Sequence, residues 1–261
     1  MQYTWCIMIV LDARTATPHY PGVGRYTREL ARALSAVADL ALIVNPLQGG
    51  IERDLWSLPA RRVSVPHAPR SVAQQWILPQ RLRAMGATVY HSPFYLMPYF
   101  SGVPSVVTVY DLIPLHPSSG TPASQQTAYG LAHRFAFMAS RRIVTLSEAA
   151  RQEFLQRFRL AGDRIVTVAP GLAARFAPVD PEMLRTARQR LNLPSQYLLS
   201  VGINKPHKNL VALVRAYAQL PADTPPLLIC GPQDARYLEV RAAAAQLGSR
   251  VRLLGRVADE L

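Results

Sequence analysis

Two lysines that lie three positions apart are the first candidates for chemistry in this sequence. Lys205 and Lys208 are the only lysines among its 29 basic residues, and both lie in the segment from Gly202 to Asn209. A strand predicted over residues 197–201 ends at Gly202, and a helix is predicted from Asn209, which places Lys208 at the helix start. A cation is unfavourable there, because it faces the positive end of the helix dipole, unless an anion lies between them. The spacing therefore predicts a site in which the helix N-terminus and Lys208, with Lys205, hold a diphosphate.

A glycine-rich segment follows the first predicted strand. Residues 21–26 read Pro-Gly-Val-Gly-Arg-Tyr, and we expect Gly22 and Gly24 to lie in a loop before the first helix. Glycines permit close approach of a phosphate to the backbone, and a helix start offers free N–H donors. The segment lacks the third glycine of a dinucleotide fingerprint, and Asn45 rather than an acidic residue follows the second strand, so NAD binding is disfavoured. A ligand-binding loop and a purely structural turn both stay open.

Both segments belong to an alternating pattern of strands and helices. Apolar runs of strand length alternate with stretches of helical periodicity, which predicts parallel sheets covered by helices on both faces. The pattern restarts after residue 177, and Asp180 followed by Pro181 is typical of a helix N-terminus. We therefore predict an α/β chain of two doubly wound, Rossmann-like domains, residues 1–177 and 178–261. Three strands are predicted in the second domain, which we interpret as incomplete.

Capping residues predict where several helices begin and end. Ser71 is expected to cap a helix that passes Pro79 and ends at Gly86. Ser147 is expected to cap a helix over residues 148–158, and a further helix is expected over residues 234–247.

Composition restricts the class of protein. Apolar residues make up 49% and charged residues 17%, which indicates a folded core. The apolar runs are too short to cross a bilayer, the N-terminus does not resemble a signal peptide, and Cys6 and Cys230 lie in strand-like runs. These features predict a cytoplasmic protein with small buried cysteines. The net charge of +13 fits an acidic ligand or an anionic membrane, whereas scattered basic residues without a zinc-finger or aromatic RNA-binding pattern disfavour nucleic acid. No histidine pairs with Asp or Glu at metal-ligand spacing, so no metal site is expected.

An ordered set of short segments spans nearly the whole chain. They are Leu11-Asp12, Gly22 to Thr27, Val89 to Pro93, Val107 to Pro114, Val144 to Glu148, Val168 to Gly171 with Phe176 to Pro178, and Gly202 to Asn209. In this order and spacing they resemble the segments of bacterial GT-B glycosyltransferases of family 4. The resemblance implies retaining transfer of a sugar from a nucleotide diphosphate donor, bound in the cleft between two Rossmann-like domains, with no metal or other cofactor.

The resemblance also implies a role for each matching residue. Lys208, helped by Lys205, would neutralise charge on the leaving diphosphate. His207 stands where many relatives carry arginine, and a phosphate contact and loop packing both stay open. Tyr110 replaces a histidine that often contacts the donor sugar, and Asp111 would accept a sugar hydroxyl or form a turn. The catalytic candidates are Lys208, Lys205, Tyr110 and Asp111; the donor-binding candidates are Gly22, Gly24, Gly202, Lys205, His207, Lys208 and Asn209; the acceptor candidates are His91, Arg25 and Tyr26.

The implied function is transfer of a hexose, with mannose from GDP-mannose as the first candidate, to a glycan or lipid-linked acceptor in polysaccharide biosynthesis. A nucleotide-sugar epimerase of the same fold and a non-catalytic nucleotide-sugar-binding subunit stay open as alternatives. Relatives hold the donor with two glutamates eight positions apart, in a region beyond the end of this sequence, so the chain is expected to be inactive alone. An anionic membrane is a further expected partner, at the inner face of the plasma membrane, through arginines on the first helix and on the helix that Ser71 is expected to cap: Arg25, Arg28, Arg32, Arg81 and Arg83.

Overall fold

The computed structural model describes residues 7–47, 53–116, 119–173 and 176–258. They form two compact units, the first reaching residue 115 and resuming over 121–173, the second comprising 116–120 and the chain from 174 onward. The domain boundary after residue 177 stays a prediction. Cys6, which the sequence places in the first strand, lies outside the described residues.

The first unit contains a seven-stranded parallel sheet with the order β3-β2-β1-β4-β5-β6-β7. Its strands are β1 (Met8–Asp12), β2 (Asp39–Val44), β3 (Arg61–Ser64), β4 (Val89–Ser92), β5 (Ser105–Val109), β6 (Arg142–Thr145) and β7 (Ile165–Thr167). Its helices are α1 (Pro21–Ser35), α2 (Arg53–Trp56), α3 (Gln74–Ala84), α4 (Ala123–Ala139) and α5 (Glu148–Phe158).

The central strands β1 and β2 are buried on both faces of this sheet, which explains their continuous apolar runs. Val10 and Ile43 pack into one core, whereas their neighbours Leu11 and Leu42 pack into another. Successive side chains of a strand point to opposite faces, so each strand between two helix layers must be apolar at every position. The predicted α/β class is confirmed.

The second unit contains a three-stranded parallel sheet, β10-β9-β8, among the residues described. Asp180 accepts a hydrogen bond from the backbone N–H of Glu182 at 2.7 Å, which confirms the predicted helix cap. Cys230 is a half-buried free thiol. In the described parts of both units, no helix has the length and apolar character needed to cross a bilayer. The elements are α6 (Pro181–Arg190), β8 (Leu198–Val201), α7 (Leu210–Ala218), β9 (Leu227–Cys230), α8 (Glu239–Ala245) and β10 (Val251–Gly255).

Three local predictions need correction. Gly22 and Gly24 lie in the first turn of α1 rather than in a loop, because Pro21 already starts the helix. Ser71 does not cap α3, whose N-cap is Ala73; Ser71 instead lies in a preceding turn. Helix α8 begins at Glu239, since residues 234–237 are held in a loop described below. The predicted Ser147 cap of α5 is confirmed by a 3.1 Å hydrogen bond from Ala150 N–H.

A histidine of α4 is buried among aromatic rings. His133 is 1% exposed and stacks on Tyr95 at 4.2 Å between ring centroids, with Phe154 and Phe158 at 6.2 Å. Its Nδ1 lies 3.0 Å from the carbonyl oxygen of Tyr129. Burial lowers the pKa of His133 to about 4, against a smaller opposing effect of that carbonyl. His133 is therefore neutral in the folded protein at neutral pH.

We expect this histidine to destabilise the fold in acid. Its folded pKa lies below the unfolded value, so the unfolded chain binds the proton first and stability falls from about pH 6.5 towards pH 4, by about 1.4 kcal/mol per pH unit. Urea unfolding measured between about pH 6.5 and pH 4 should show a smaller dependence of the unfolding free energy on pH for His133→Leu. His19→Gln, at an exposed histidine, should leave that dependence unchanged. Equal slopes of unfolding free energy against pH for wild type and His133→Leu would contradict a lowered pKa of His133 in the folded protein.

Candidate functional site

The strand order places a ligand-binding edge in the first unit between β1 and β4. On one side of β1 the sheet continues with β2 and β3. On the other side of β1 it continues with β4 and then β5. In open parallel sheets, ligands bind beyond the carboxyl ends of the strands at such a reversal. Asp12 ends β1, and His91 and Ser92 end β4, so these side chains lie at that edge.

A buried ion pair closes the end of β1. Arg14 Nε and Nη2 donate to the two carboxylate oxygens of Asp12 at 2.8 and 2.6 Å, and neither side chain is more than 4% exposed. Tyr90 OH donates to the same carboxylate at 2.8 Å. Arg14 also donates to the backbone carbonyl of His67 at 3.0 Å and to Gln74 Oε1 at 2.8 Å. Every strongly polar group of the pair is thus hydrogen-bonded, as burial requires.

The hydrogen bonds of this network connect β1, β4, α3 and the loop before α3. They therefore hold these elements together at the ligand-binding edge of the sheet. Burial disfavours the charge of Arg14, but the carboxylate of Asp12 raises the pKa of Arg14 above its ordinary value. Burial and Asp12 also raise the pKa of Tyr90, which keeps its hydroxyl proton as a donor. Sequence reasoning noted Asp12 as part of a motif and missed Arg14. The signal was available in the sequence: Asp12 and Arg14 are opposite charges two positions apart, at the end of a buried apolar strand.

Three predicted site residues come together at the carboxyl ends of β4 and β5. Thr108 Oγ1 lies 2.8 Å from His91 Nε2 and 3.5 Å from Tyr26 OH. The rings of Tyr26 and Tyr110 meet edge to face, with centroids 5.6 Å apart. Tyr110 OH donates to the backbone carbonyl of Pro93 at 3.0 Å. Sequence reasoning did not identify Thr108, the hydroxyl that connects His91 with Tyr26.

The groups of this cluster are neutral at physiological pH. Burial lowers the pKa of His91 to about 4, so its imidazole is an uncharged hydrogen-bonding group. Burial raises the pKa of Tyr110 far above its ordinary value, with a further contribution from Tyr26. Since Tyr110 also donates to a backbone carbonyl, it is suited to positioning and not to shuttling protons. The cluster therefore carries no net charge, and its half-buried members His91 and Tyr26 are the ones that can hydrogen-bond a hydroxyl group.

The remaining candidates of the first unit have distinct positions. Asp111 Oδ1 accepts from the N–H of Ile113 at 3.0 Å, so its side chain forms the turn that was one of the two expected roles. Tyr129 OH donates to the carbonyl of Asp111 at 2.9 Å and holds this turn to α4. Arg25 is exposed on α1.

The two glycines at the start of α1 differ in the space around them. A Cβ on Gly24 would lie 2.8 Å from the carbonyl oxygen of Thr15 and 2.9 Å from that of Thr17, whereas one on Gly22 would have nothing within 4 Å. Gly24 therefore lets the chain approach itself, and Gly22 leaves open space above the helix start.

We expect alanine to separate these two positions. Gly24→Ala should destabilise the fold by about 1–3 kcal/mol, because backbone atoms would have to move. Gly22→Ala should leave stability unchanged or raise it by up to about 1 kcal/mol, because alanine is the better helix former. Urea unfolding of both variants tests this, and equal losses would contradict the difference in packing.

In the second unit the predicted phosphate loop lies beyond the carboxyl end of β8. Residues Pro206–Lys208 form a single 3-10 turn, and Asn209 follows with a left-handed φ of +49°. Helix α7 begins at Leu210, so Lys208 lies two positions before the first helical residue and does not start the helix, which corrects the prediction. Asparagine tolerates this backbone conformation better than most residues, which explains its place between the two helical segments.

Two residues hold the backbone of this loop. Asn204 is buried; its Nδ2 donates to the carbonyls of Asp234 and Tyr237 at 3.0 and 2.6 Å, and its Oδ1 accepts from the N–H of Asp234 at 2.6 Å. A Cβ on Gly231 would lie 2.2 Å from the carbonyl oxygen of Gly202. The φ of Gly231 is +144°, which also requires glycine. Sequence reasoning missed Gly231, whose only signal was its position directly after β9.

The loop carries its positive charge outward. Lys208 and His207 are exposed and Lys205 is half-buried, and the stem of Lys208 lies over Gly202, about 3.9 Å from the position of a Cβ there. Asp234 is already paired with Arg236 at 2.6 Å, and hydrogen bonds from Arg236 lower the pKa of Asp234 to about 2. Gly202, Lys205, His207, Lys208 and Asn209 thus lie on one loop whose backbone is fixed from the β9 side. Within the described ranges, no group of three His, Cys, Asp or Glu side chains is placed to hold a metal ion.

Comparison with curated proteins identifies mannosyltransferases as relatives. Serotype-specific mannosyltransferase WbdA of Escherichia coli is 31% identical over 83 residues, which are 31% of this chain and 10% of WbdA. O-antigen chain mannosyltransferase B of Escherichia coli is 32% identical over 125 residues, which are 45% of this chain and 32% of that protein. The chain thus matches between a tenth and a third of the length of these relatives.

Two solved structures share the fold. A glycosyltransferase from Rickettsia africae ESF-5 superimposes with a TM-score of 0.68 at 17% identity, over 97% of this chain and 69% of that one. Alr3699/HepE of Anabaena, solved in complex with UDP-glucose, superimposes with a TM-score of 0.71 at 16% identity, over 97% of this chain and 70% of that one. The model of Glycosyltransferase Family 4 matches residues 20–175. That match covers more than half of the 261 residues, and the chain belongs to Glycosyltransferase Family 4.

Proposed function

We propose that this chain binds a nucleotide diphosphate sugar and takes part in retaining transfer of a hexose, mannose, to a glycan or lipid-linked acceptor in polysaccharide biosynthesis. The observation that carries the proposal is the loop of Lys205 and Lys208, fixed beyond the carboxyl end of β8 in a member of a glycosyltransferase family. The mannosyl group rests on the two Escherichia coli relatives, and a nucleotide-sugar donor is supported by the Anabaena neighbour with UDP-glucose.

In this proposal the second unit holds the donor diphosphate. The ammonium groups of Lys205 and Lys208 and the first N–H groups of α7 would bind the phosphate oxygens. As the sugar departs, negative charge builds on the diphosphate, and fixed positive groups stabilise that charge more than the bound substrate. The lysines would supply this charge in place of a metal ion.

The first unit is proposed to hold the acceptor. His91 and Tyr26 are half-buried neutral hydrogen-bonding groups, which suit the hydroxyl groups of a glycan, and the fully buried Thr108 holds both of them through its hydroxyl. The cluster lies at the carboxyl ends of β4 and β5, where parallel sheets bind ligands. We place the protein in the cytoplasm, where nucleotide sugars are available, at the inner face of the plasma membrane.

A non-catalytic nucleotide-sugar-binding subunit is the second candidate. It is favoured by Tyr110, whose hydroxyl is committed to the carbonyl of Pro93 where relatives often carry a histidine. We also propose that the 261-residue chain turns over slowly or not at all by itself, because no two of its glutamates stand eight positions apart.

The test is a transfer assay with a panel of radiolabelled nucleotide sugars, with lipid and glycan acceptors, run on this chain and on any longer parent protein. Labelled product from GDP-mannose with the longer protein would support mannosyl transfer. Ordinary turnover by the 261-residue chain would refute its proposed inactivity, and donor binding without product from either protein would favour the non-catalytic subunit.

A further inference from the structure

The first unit exposes an unusual number of large apolar side chains on one set of neighbouring segments. Phe100 is 86% and Met138 71% exposed, and the others are at least half exposed. We call this set the aromatic face; it lies on the turn before α3, on α3, on the loop after β4 and on α4, and consists of Val72, Trp76, Phe100, Leu131, Phe135 and Met138.

Specific contacts join these segments into one surface. Gln75 of α3 donates through Nε2 to the carbonyl of Met97 and accepts through Oε1 from the N–H of Tyr99, both at 2.9 Å. The Tyr99 ring packs on the ring of Phe135 of α4, with centroids 5.5 Å apart. The loop that carries Phe100 is therefore fixed to both helices.

The face on α4 has helical periodicity. Leu131, Phe135 and Met138 follow one another at spacings of four and three residues, while His133 and Phe137 of the same helix are buried. A helix that is apolar on its buried side and again on its exposed side has a second apolar contact to make. Exposed contiguous apolar surface of this kind marks a contact with a partner or a membrane.

The segments that carry the aromatic face have basic residues and no acidic ones. Residues 70–105 and 123–142 contain no Asp or Glu. Arg83 of α3 lies against the loop, its Nε 3.0 Å from the position of a Cβ on Gly102. Arg134 is exposed on α4. The same two stretches contain six arginines: Arg70, Arg81, Arg83, Arg134, Arg141 and Arg142.

We propose that the aromatic face docks on the surface of an anionic lipid bilayer. Tryptophan and phenylalanine insert at the boundary between headgroups and acyl chains, and arginines near an anionic surface are attracted to its headgroups. Aromatic side chains among arginines, on segments without a carboxylate, complement a negatively charged apolar boundary. This relocates the membrane contact that the sequence placed partly on α1, where Arg32 is paired with Glu29 at 2.5 Å. The inference does not depend on the proposed transferase activity.

The test is co-sedimentation of the 261-residue chain with vesicles of phosphatidylglycerol and phosphatidylcholine, against phosphatidylcholine alone. We expect binding to the anionic vesicles that weakens at high salt. Trp76→Ser with Phe100→Ser should reduce binding by about tenfold or more, since two large apolar groups no longer enter the bilayer. Val37→Ser, at an apolar side chain that is 80% exposed after α1, is the matched control and should bind like the wild type.

Tryptophan fluorescence gives a second readout at the face itself. With Trp5→Phe and Trp56→Phe, Trp76 is the remaining tryptophan of the three. Its emission should shift to the blue on anionic vesicles and be quenched by brominated acyl chains. Unchanged emission, no sedimentation with anionic vesicles, or an equal loss in Val37→Ser would overturn the proposal. A concentration-dependent dimer that Trp76→Ser with Phe100→Ser converts to monomer would assign the face to a second copy instead and would also overturn it.

Discussion

Replacing Lys208 by alanine should weaken binding of a nucleoside diphosphate by about 10- to 100-fold. A hydrogen bond between charged groups contributes about 1.5–3 kcal/mol, and the Lys208 stem is positioned over Gly202 at the head of a loop that Asn204 and Gly231 hold in place. The variant should fold normally, because Lys208 is exposed. Titration of GDP and UDP by calorimetry or by NMR line shifts measures the change.

A matched control is available in the same unit. Arg241 is an exposed cation on α8, so Arg241→Ala removes the same net charge away from the loop. It should leave the dissociation constant within about twofold, since an exposed distant charge is screened by salt. Equal losses in Lys208→Ala and Arg241→Ala would show a general charge effect and refute a phosphate site at this loop.

Replacing Arg14 by methionine should destabilise the protein by about 3–5 kcal/mol. The change leaves the Asp12 carboxylate buried, with Tyr90 OH as its remaining side-chain donor, and an uncompensated buried charge is costly. It also leaves Gln74 Oε1 without the donor that now reaches it. Chemical unfolding monitored by circular dichroism gives the free energy of unfolding.

The same substitution at an exposed ion pair provides the control. Arg32 pairs with Glu29 on α1, and about half of each side chain is exposed. Arg32→Met should cost no more than about 1 kcal/mol, because solvent screens surface pairs. A loss below about 1 kcal/mol for Arg14→Met would mean that the pair contributes little, and that β1 and α3 are held by apolar packing.

The elements that sequence predicted well are those with a strong local signal. The buried strands are continuous apolar runs because both faces of the sheet are covered, and Ser147 and Asp180 cap helices through their own side chains. Helix α5 was predicted without error for the same reason. Errors appear where distant residues decide the local structure. Helix α8 starts late because Asn204, thirty positions earlier, binds the backbone at Asp234 and Tyr237.

The site shows the same division. Motif segments placed His91, Tyr26 and Tyr110 at one sheet edge; the positions of His91 and Tyr110 are set by strand ends, and that of Tyr26 by the start of α1. Thr108 joins them through a contact that no local pattern announces. Gly24 and Gly231 are glycines because other backbone atoms occupy the place of a Cβ. Spacing along the chain cannot distinguish such a glycine from Gly22, whose surroundings are open.

The contact between Gly231 and Gly202 limits how this protein can be re-engineered. The ends of β8 and β9 touch backbone to backbone, so position 231 accepts no side chain, whereas a Cβ at position 202 would meet only the stem of Lys208 at 3.9 Å. A library meant to change the anion that the loop accepts should therefore hold Asn204 and Gly231 constant. Diversity belongs at the outward positions 205, 207 and 208, where new side chains change charge and reach without moving the main chain.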